Sequence, residues 1–399
     1  MKLSDFYGAK DATLGVIHKT PLMRSDNFSK RTGAELYLKC ENQQKTGSFK
    51  VRGAYNKIAV LLGKKAFKSV IAASTGNHAQ GVAYAAAKNG IKATIVMPRS
   101  TSLAKIAAVR GYDAEVVLHG ETYDDAYTHA RTLEKKTGAE FVAPFNDYDV
   151  IAGQGTTALE ILEDLPCADI IVVPVGGGGL IAGIAYAAKK LKPDIKIVGV
   201  QPHKADALVQ SFDKGELQRL DKIYTIADGI AVKRPGDKTF TLIKEYVDEI
   251  VTVTDDEIAS TVLELLERTK QVVEPAGATG LAAVLCNKIK VEGKNVVCVL
   301  SGGNIDVGFM HKIIERGLLR RGRQIQLHIL MRDIPGGLEK VASIIAKNNA
   351  NVTGVLYDRA SEKLKMGDVI LHVTCEVSGH RHGREIIEQL TKNGFSVLE

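Results

Sequence analysis

The residue with the most direct chemical potential is Lys50, set in Gly47-Ser48-Phe49-Lys50-Val51-Arg52-Gly53. A lysine amine attacks a carbonyl only while it is neutral, so it must be partly desolvated or electrostatically tuned. The apolar neighbour Phe49, in a loop leading into a helix, is compatible with that; a solvated loop lysine is the plain alternative. Further on, Ala73-Ser74-Thr75-Gly76-Asn77-His78-Ala79-Gln80-Gly81 puts small residues ahead of a helix. The N–H groups there can receive an anion such as a carboxylate. Ser74 and Asn77 suit plain helix caps equally, and by themselves they favour that reading. Val175-Gly176-Gly177-Gly178-Gly179-Leu180 follows an apolar run and precedes a helix. Its unobstructed N–H groups can close round a phosphate, although it is neither a G-x-G-x-x-G fingerprint nor a P-loop. Ser301, in Leu300-Ser301-Gly302-Gly303-Asn304, offers a hydroxyl at a strand end, where a ligand or a simple turn is served equally well.

These segments need a scaffold that brings strand ends together. Between about residues 35 and 300, short β-rich runs alternate with helical stretches. Lys68–Ala73, Ala93–Met97, Ala114–Leu118, Ile170–Val175, Ile195–Val200 and Val296–Leu300 read as strands, and Ala79–Asn89, Ser102–Arg110, Tyr123–Lys136 and Ile181–Lys190 as helices. That alternation predicts an α/β fold with parallel sheets, and several strands are apolar throughout, as when both faces are covered. Ligands of such sheets sit at the carboxyl ends of strands, where the glycine-rich turns lie. Beyond Gly317 the pattern changes. Leu318–Gln324 reads as a basic linker, and Gln326–Met331, a helix to Lys347, Ala350–Asp358, Asp368–Val377, Arg384–Lys392 and Gly394–Leu398 form a βαββαβ, ferredoxin-like unit.

The bulk properties narrow the class. A chain of 399 residues is long for one core, so more than one structural unit is expected. No apolar run is long enough for a bilayer, and the N-terminus lacks a signal-peptide stretch, so the expectation is a cytoplasmic protein without membrane contact. The net charge of +7 is spread among acids, and only Arg316, Arg320, Arg321 and Arg323 cluster. Their spacing suits a helix end or linker, and no nucleic-acid partner is expected. Five cysteines without a C-x-x-C pair fit neither a disulfide framework nor a zinc site and suggest buried thiols in a reducing compartment.

Taken in order, Lys19-Thr20-Pro21-Leu22, Gly47–Gly53, Ala73–Gly81, Ile151-Ala152-Gly153-Gln154-Gly155, Gly176–Leu180, Glu274-Pro275-Ala276-Gly277 and Ser301–Asn304 resemble the fold-type II pyridoxal phosphate (PLP) enzymes. The likeness is nearest to threonine dehydratases (threonine ammonia-lyases) with one C-terminal ACT domain. Each motif is weak alone, whereas their joint order over nearly the whole chain is specific. The resemblance implies a two-lobed, tryptophan synthase β-like catalytic unit over 1–320, with a large lobe about 1–44 and 147–320 and a small lobe about 45–146. It implies an ACT domain over 325–399. Lys50, beside Phe49, is then expected to hold pyridoxal 5'-phosphate covalently and to take the substrate α-proton. Asn77 is expected at the cofactor's phenolic oxygen, Gly176, Gly177, Gly178, Gly179 and Leu180 at its phosphate, Ser301 at its pyridine nitrogen and Asn146 beside it. Ser74, Thr75, Gly76 and His78 are expected to bind the substrate carboxylate, largely through backbone N–H groups. The implied reaction converts L-threonine, and L-serine, to 2-oxobutanoate or pyruvate and ammonia.

Two departures matter. Many such dehydratases carry Ala where this chain has Thr75, and related serine racemases carry Ser, so a racemase or β-replacement outcome is the alternative within the fold. Those racemases also bind a divalent cation through acidic ligands, which Gln201-Pro202-His203-Lys204-Ala205-Asp206-Ala207 lacks, so no metal is expected. The ACT resemblance implies an amino-acid effector, isoleucine or valine, and a homodimer or homotetramer; a structural dimerisation tail is the plain alternative. A non-catalytic amino-acid-binding regulator is a further reading, against which the retention of Lys50 speaks.

Overall fold

The computed structural model describes residues 1–360 and 364–398 and divides into two compact units, Met1–Asp306 and Val307–Glu399. The first carries β1 (Leu22–Arg24), β2 (Glu35–Lys39), β3 (Ser69–Ala73), β4 (Lys92–Met97), β5 (Glu115–Leu118), β6 (Glu140–Phe141), β7 (Ile170–Pro174), β8 (Lys196–Pro202), β9 (Glu249–Val253) and β10 (Asn295–Val299). A six-stranded sheet runs β1-β2-β10-β7-β8-β9, parallel except where β1 meets β2. A four-stranded sheet runs β5-β4-β3-β6 and is parallel throughout. The parallel α/β reading of this region agrees with the observed sheets. β7 shows why its sequence lacks alternation: all five residues are buried, because helices cover both faces. Each Ile or Val so covered contributes about 1.5–3 kcal/mol relative to an exposed one.

Helix crossings fix the lysine segment. The helices Lys50–Lys64 and Tyr148–Asp164 meet backbone to backbone, since a Cβ on Gly153 would come within 2.6 Å of the Arg52 carbonyl oxygen. Gly153 belongs to the Ile151–Gly155 segment singled out in the sequence. Beneath the crossing lies a buried charge cluster. Arg52 bridges Glu41 (Nε to Oε2, 2.8 Å) and Glu160 (Nη1 to Oε1, 2.6 Å), and Lys39 Nζ bonds Glu160 Oε2 at 2.6 Å and the Thr20 carbonyl at 2.7 Å. Thr20 Oγ1 donates to Glu41 as well. Burial pushes the Glu41 carboxyl up, but Arg52, Lys39 and Thr20 draw it below its ordinary value.

The second unit opens with the helix Val307–Arg320, followed by β11 (Gln324–Arg332), β12 (Asn351–Asp358), β13 (Asp368–Glu376) and β14 (Ser396–Leu398). The sheet order is β12-β13-β11-β14, antiparallel at every pairing. The helices Gly337–Lys347 and His380–Lys392 complete a βαββαβ order, and Leu327, Ile329, Val341, Leu371 and Ile386 are in its core. The basic linker expected at Leu318–Gln324 is shorter than anticipated: the helix runs to Arg320 and β11 begins at Gln324. Ile313 is buried on that helix, so its periodic apolar face prevails over the basic composition of its end. The chain accordingly divides at residue 306 rather than near 320–325. Among the described residues, no helix is long and apolar enough to cross a membrane.

Candidate active site

A cavity of about 420 Å³ opens in the first unit, lined by Phe49, Lys50, Ser74 to His78, Gly176 to Leu180, Glu274 and Ser301. The separate glycine-rich turns therefore converge. Lys50 is the first residue of its helix, and its Nζ lies 3.0 Å from the Pro144 carbonyl oxygen and 5.2 Å from the Phe49 ring centroid. Burial lowers this amine to about 8, against an opposing pull from the Glu274 charge. A substantial neutral fraction is thus present near neutrality, which is what attack on an aldehyde requires.

The Ser74–His78 turn does not use its side chains as helix caps. The helix Asn77–Lys88 begins at Gly76 without a side-chain cap, and Ser74 Oγ accepts from the Gly76 N–H at 3.3 Å. Asn77 instead joins a polar chain through the site. Asn304 Nδ2 donates to the Thr46 carbonyl at 2.7 Å and to Asn77 Oδ1 at 2.8 Å, and Asn77 Nδ2 donates to Glu274 Oε1 at 2.7 Å. His78 Nε2 lies 2.8 Å from the Val142 carbonyl, which can only accept, so the proton sits on Nε2. Burial, followed by the Lys50 charge, lowers His78 to about 3 and keeps the ring neutral. Its Nδ1 is buried with no partner among the described residues and can only accept, so the neutral His78 ring has no N–H to offer a carboxylate at this turn.

The tetraglycine turn leads into the helix Gly179–Leu191, whose first N–H groups have no intrahelical acceptor. Gly178 adopts φ +93°, and a Cβ on Gly177 would strike the Phe145 ring at 2.4 Å. The Gly177 carbonyl is turned away to Thr239 Oγ1 at 2.7 Å. This is a turn that only glycines fit, and its free N–H groups and helix dipole suit an anion. A buried lysine of lowered basicity, a glycine turn with free N–H donors and Ser301, a neutral hydroxyl residue, line one cavity and fit the three functional ends of pyridoxal phosphate.

Asn146 is placed differently from expectation. It does not line the cavity; Asp237 Oδ1 accepts from its Nδ2 at 2.5 Å and its Oδ1 accepts from the Lys238 N–H at 3.0 Å, so both ends of its amide are held outside. Sequence reasoning gave no role to Glu274, Asn304, the Pro144 carbonyl or the Asp228–Arg234 segment, all of which line the cavity or touch its amine. Glu274 stood within a noted motif, and the loop carrying Asp228 had no periodic signal. Ion pairs mark the rim, with Lys105 to Asp228 at 2.8 Å and Lys233 to Asp124 at 4.0 Å. The helix carrying Asp124 begins with a Thr122/Asp125 capping box. No group of three or more metal-ligating side chains occurs among the described residues, and Asp206 Oδ1 accepts from Gln210.

Comparison with known proteins agrees with this geometry. Residues 13–302 match the family model described as pyridoxal-phosphate dependent enzyme. The L-threonine ammonia-lyase of Thermotoga maritima is 48% identical over 395 residues, 99% of this chain and 98% of that protein. The processed form of threonine deaminase isoform 2 from Solanum lycopersicum superposes with a TM-score of 0.75 at 39% identity, over 79% of this chain and 87% of that one. Maize serine racemase gives 0.75 at 36% identity, over 80% and 98%. With lysine, anion cradle and hydroxyl in one cavity, and the family model matched over most of its length, the chain belongs to the pyridoxal-phosphate dependent enzymes.

Proposed function

We propose that this chain is a threonine ammonia-lyase, eliminating water from L-threonine, and from L-serine, to give 2-oxobutanoate or pyruvate and ammonia. The observation that carries the reading is a lysine amine of lowered basicity facing the same cavity as a glycine-only anion cradle. Lys50 and Phe49 would hold the cofactor, with Gly176 to Leu180 at its phosphate, Asn77 at its ring oxygen and Ser301 at its ring nitrogen. Bound pyridoxal phosphate supplies the electron sink for a carbanion at Cα. The free Lys50 amine takes the α-proton and holds it as an ammonium, a role suited to a basicity near the working pH. The backbone N–H groups of Ser74, Thr75, Gly76 and His78 orient the substrate carboxylate. Ser301, a neutral hydroxyl, cannot keep a ring nitrogen protonated as a carboxylate would. A cofactor ring held there would store less charge, which would favour departure of the β-hydroxyl over return of a proton to Cα.

The C-terminal βαββαβ unit supports the further reading that residues 325–399 form an ACT domain binding isoleucine or valine and shifting activity. The enzyme would then work as a cytoplasmic homodimer or homotetramer. The test is 2-oxo acid release from L-threonine and L-serine by the holoenzyme, with and without isoleucine and valine. Release that is abolished in Lys50→Ala is expected. A wild type that releases no oxo acid overturns the reading, and one indifferent to both effectors overturns the regulatory part.

The Thr75 hydroxyl on the cavity wall favours a second activity, racemisation of serine by return of a proton to the opposite face. Deuterium at Cα of D-serine recovered from heavy water is the expected sign, and its absence disposes of the idea.

A further inference from the structure

We infer that Glu274 is a positioning residue that acts through Asn77, its ionisation setting how strongly the Asn77 amide donates into the cavity and hence the protonation of the cofactor's ring oxygen. The inference rests on the reading of Asn77 as the donor to that oxygen.

The hydrogen-bond chain fixes the orientation of every amide. The Thr46 carbonyl only accepts, so the Asn304 atom 2.7 Å away is its nitrogen. The second N–H of that nitrogen reaches Asn77, so the Asn77 atom there is oxygen. The Asn77 nitrogen therefore faces Glu274 Oε1 at 2.7 Å and keeps one N–H for the cavity. Glu274 is 5% exposed, lines the cavity, and no described residue donates to its Oε2. An ionised Glu274 draws on the shared N–H, enriches the amide nitrogen and weakens the remaining N–H as a donor. A neutral Glu274 leaves that N–H strong. A carboxylate charge in the cavity that Asn77 also lines would raise the proton affinity of that oxygen directly as well. Both effects have one sign: as Glu274 ionises, the ring oxygen holds its proton more tightly.

The groups facing Glu274 come from several elements. Burial first and then the charge of Asp228 at the cavity rim raise its carboxyl, Asn77, Lys105 on the helix Leu103–Arg110 and Lys50 oppose them, and the balance stands at about 7. Asp228 and Lys105 are themselves paired. The rim ion pair is thus placed to tune the switch.

The test is the absorption of the lysine-bound chromophore in the holoenzyme, recorded across about pH 5 to 9. The wild type should show an inflection at about 7, with the band moving to shorter wavelength as pH rises. Glu274→Gln should keep the chromophore and lose the inflection, and Glu274→Asp should restore a displaced one. Because Asp228 raises the Glu274 carboxyl, Asp228→Asn should move the inflection to lower pH; Lys105→Ala should move it to higher pH. The same inflection surviving in Glu274→Gln, or standing unmoved in both rim variants, overturns the inference while leaving the lyase reading intact. A colourless wild type overturns that reading and this inference with it.

Discussion

Replacing Glu160 with glutamine perturbs the charge cluster that seats the lysine helix. The cluster holds two cations, Lys39 and Arg52, and two carboxylates, Glu41 and Glu160, with side chains at most 8% exposed. Glu160→Gln keeps the shape but leaves one positive charge unbalanced: Lys39 loses the carboxylate that its amine bonds, and Glu41 alone then faces both cations. Breaking a buried pair from one side costs about 3–5 kcal/mol, chiefly through the charge left behind. Removing Lys39 as well, by Lys39→Met, restores a balanced Arg52–Glu41 pair. The double variant should then be more stable than the sum of the single losses predicts by about 1 kcal/mol or more. Urea unfolding followed by circular dichroism reads these differences as midpoint changes at constant slope. A Glu160→Gln loss under about 1 kcal/mol, or losses that add, would refute the account of this cluster. Glu41 adds a pH signature. Its carboxyl is lowered in the folded state, so its contribution is complete above the ordinary glutamate value and disappears as acidification passes the folded one.

Other outcomes follow from the same geometry. The apo-protein should capture the cofactor aldehyde faster as pH rises, levelling off above about 8; a rate still climbing toward the ordinary lysine value of 10.5 would show that the amine is not desolvated. Gly177→Ala brings a Cβ within 2.4 Å of the Phe145 ring and should weaken cofactor binding by about 1–3 kcal/mol in equilibrium dialysis. An unchanged affinity would remove the tetraglycine turn from the phosphate site. A thiol reagent should label exposed Cys167 quickly and Cys286 slowly. Cys40, pushed up to about 12 by burial, and buried Cys298 and Cys375 should react only on unfolding.

The parts of this molecule that are local in sequence were legible, and those that depend on long-range packing were not. β7 and the turn behind it could be read because an unbroken apolar run followed by four glycines has few other uses. The helix Val307–Arg320 is obscured by the arginines at its end, although Ile313 gives it a buried face. Ser74 and Asn77 looked like caps because a cap is the commonest local use of those residues. Only tertiary structure brings Glu274 and Asn304, far along the chain, to Asn77. The surroundings of Asn146 are hidden for the same reason: it adjoins Phe145, a cavity residue, but its amide is bonded by Asp237 and Lys238. Glu274 is the instructive omission, since nothing in its motif reveals that the carboxyl is buried.

The strand order of the larger sheet constrains how this protein can be made. β10, near residue 299, is inserted between β2 and β7, so the centre of that sheet must stay open until almost the whole first unit has left the ribosome. Until then β2 has only β1 to pair with, and its other edge is bare. Contacts of such wide sequence separation form slowly, and the waiting edge is open to misassociation. Acquisition of the cofactor should therefore come late in biogenesis, and a chain halted before β10 should be a substrate for chaperones rather than an early catalyst.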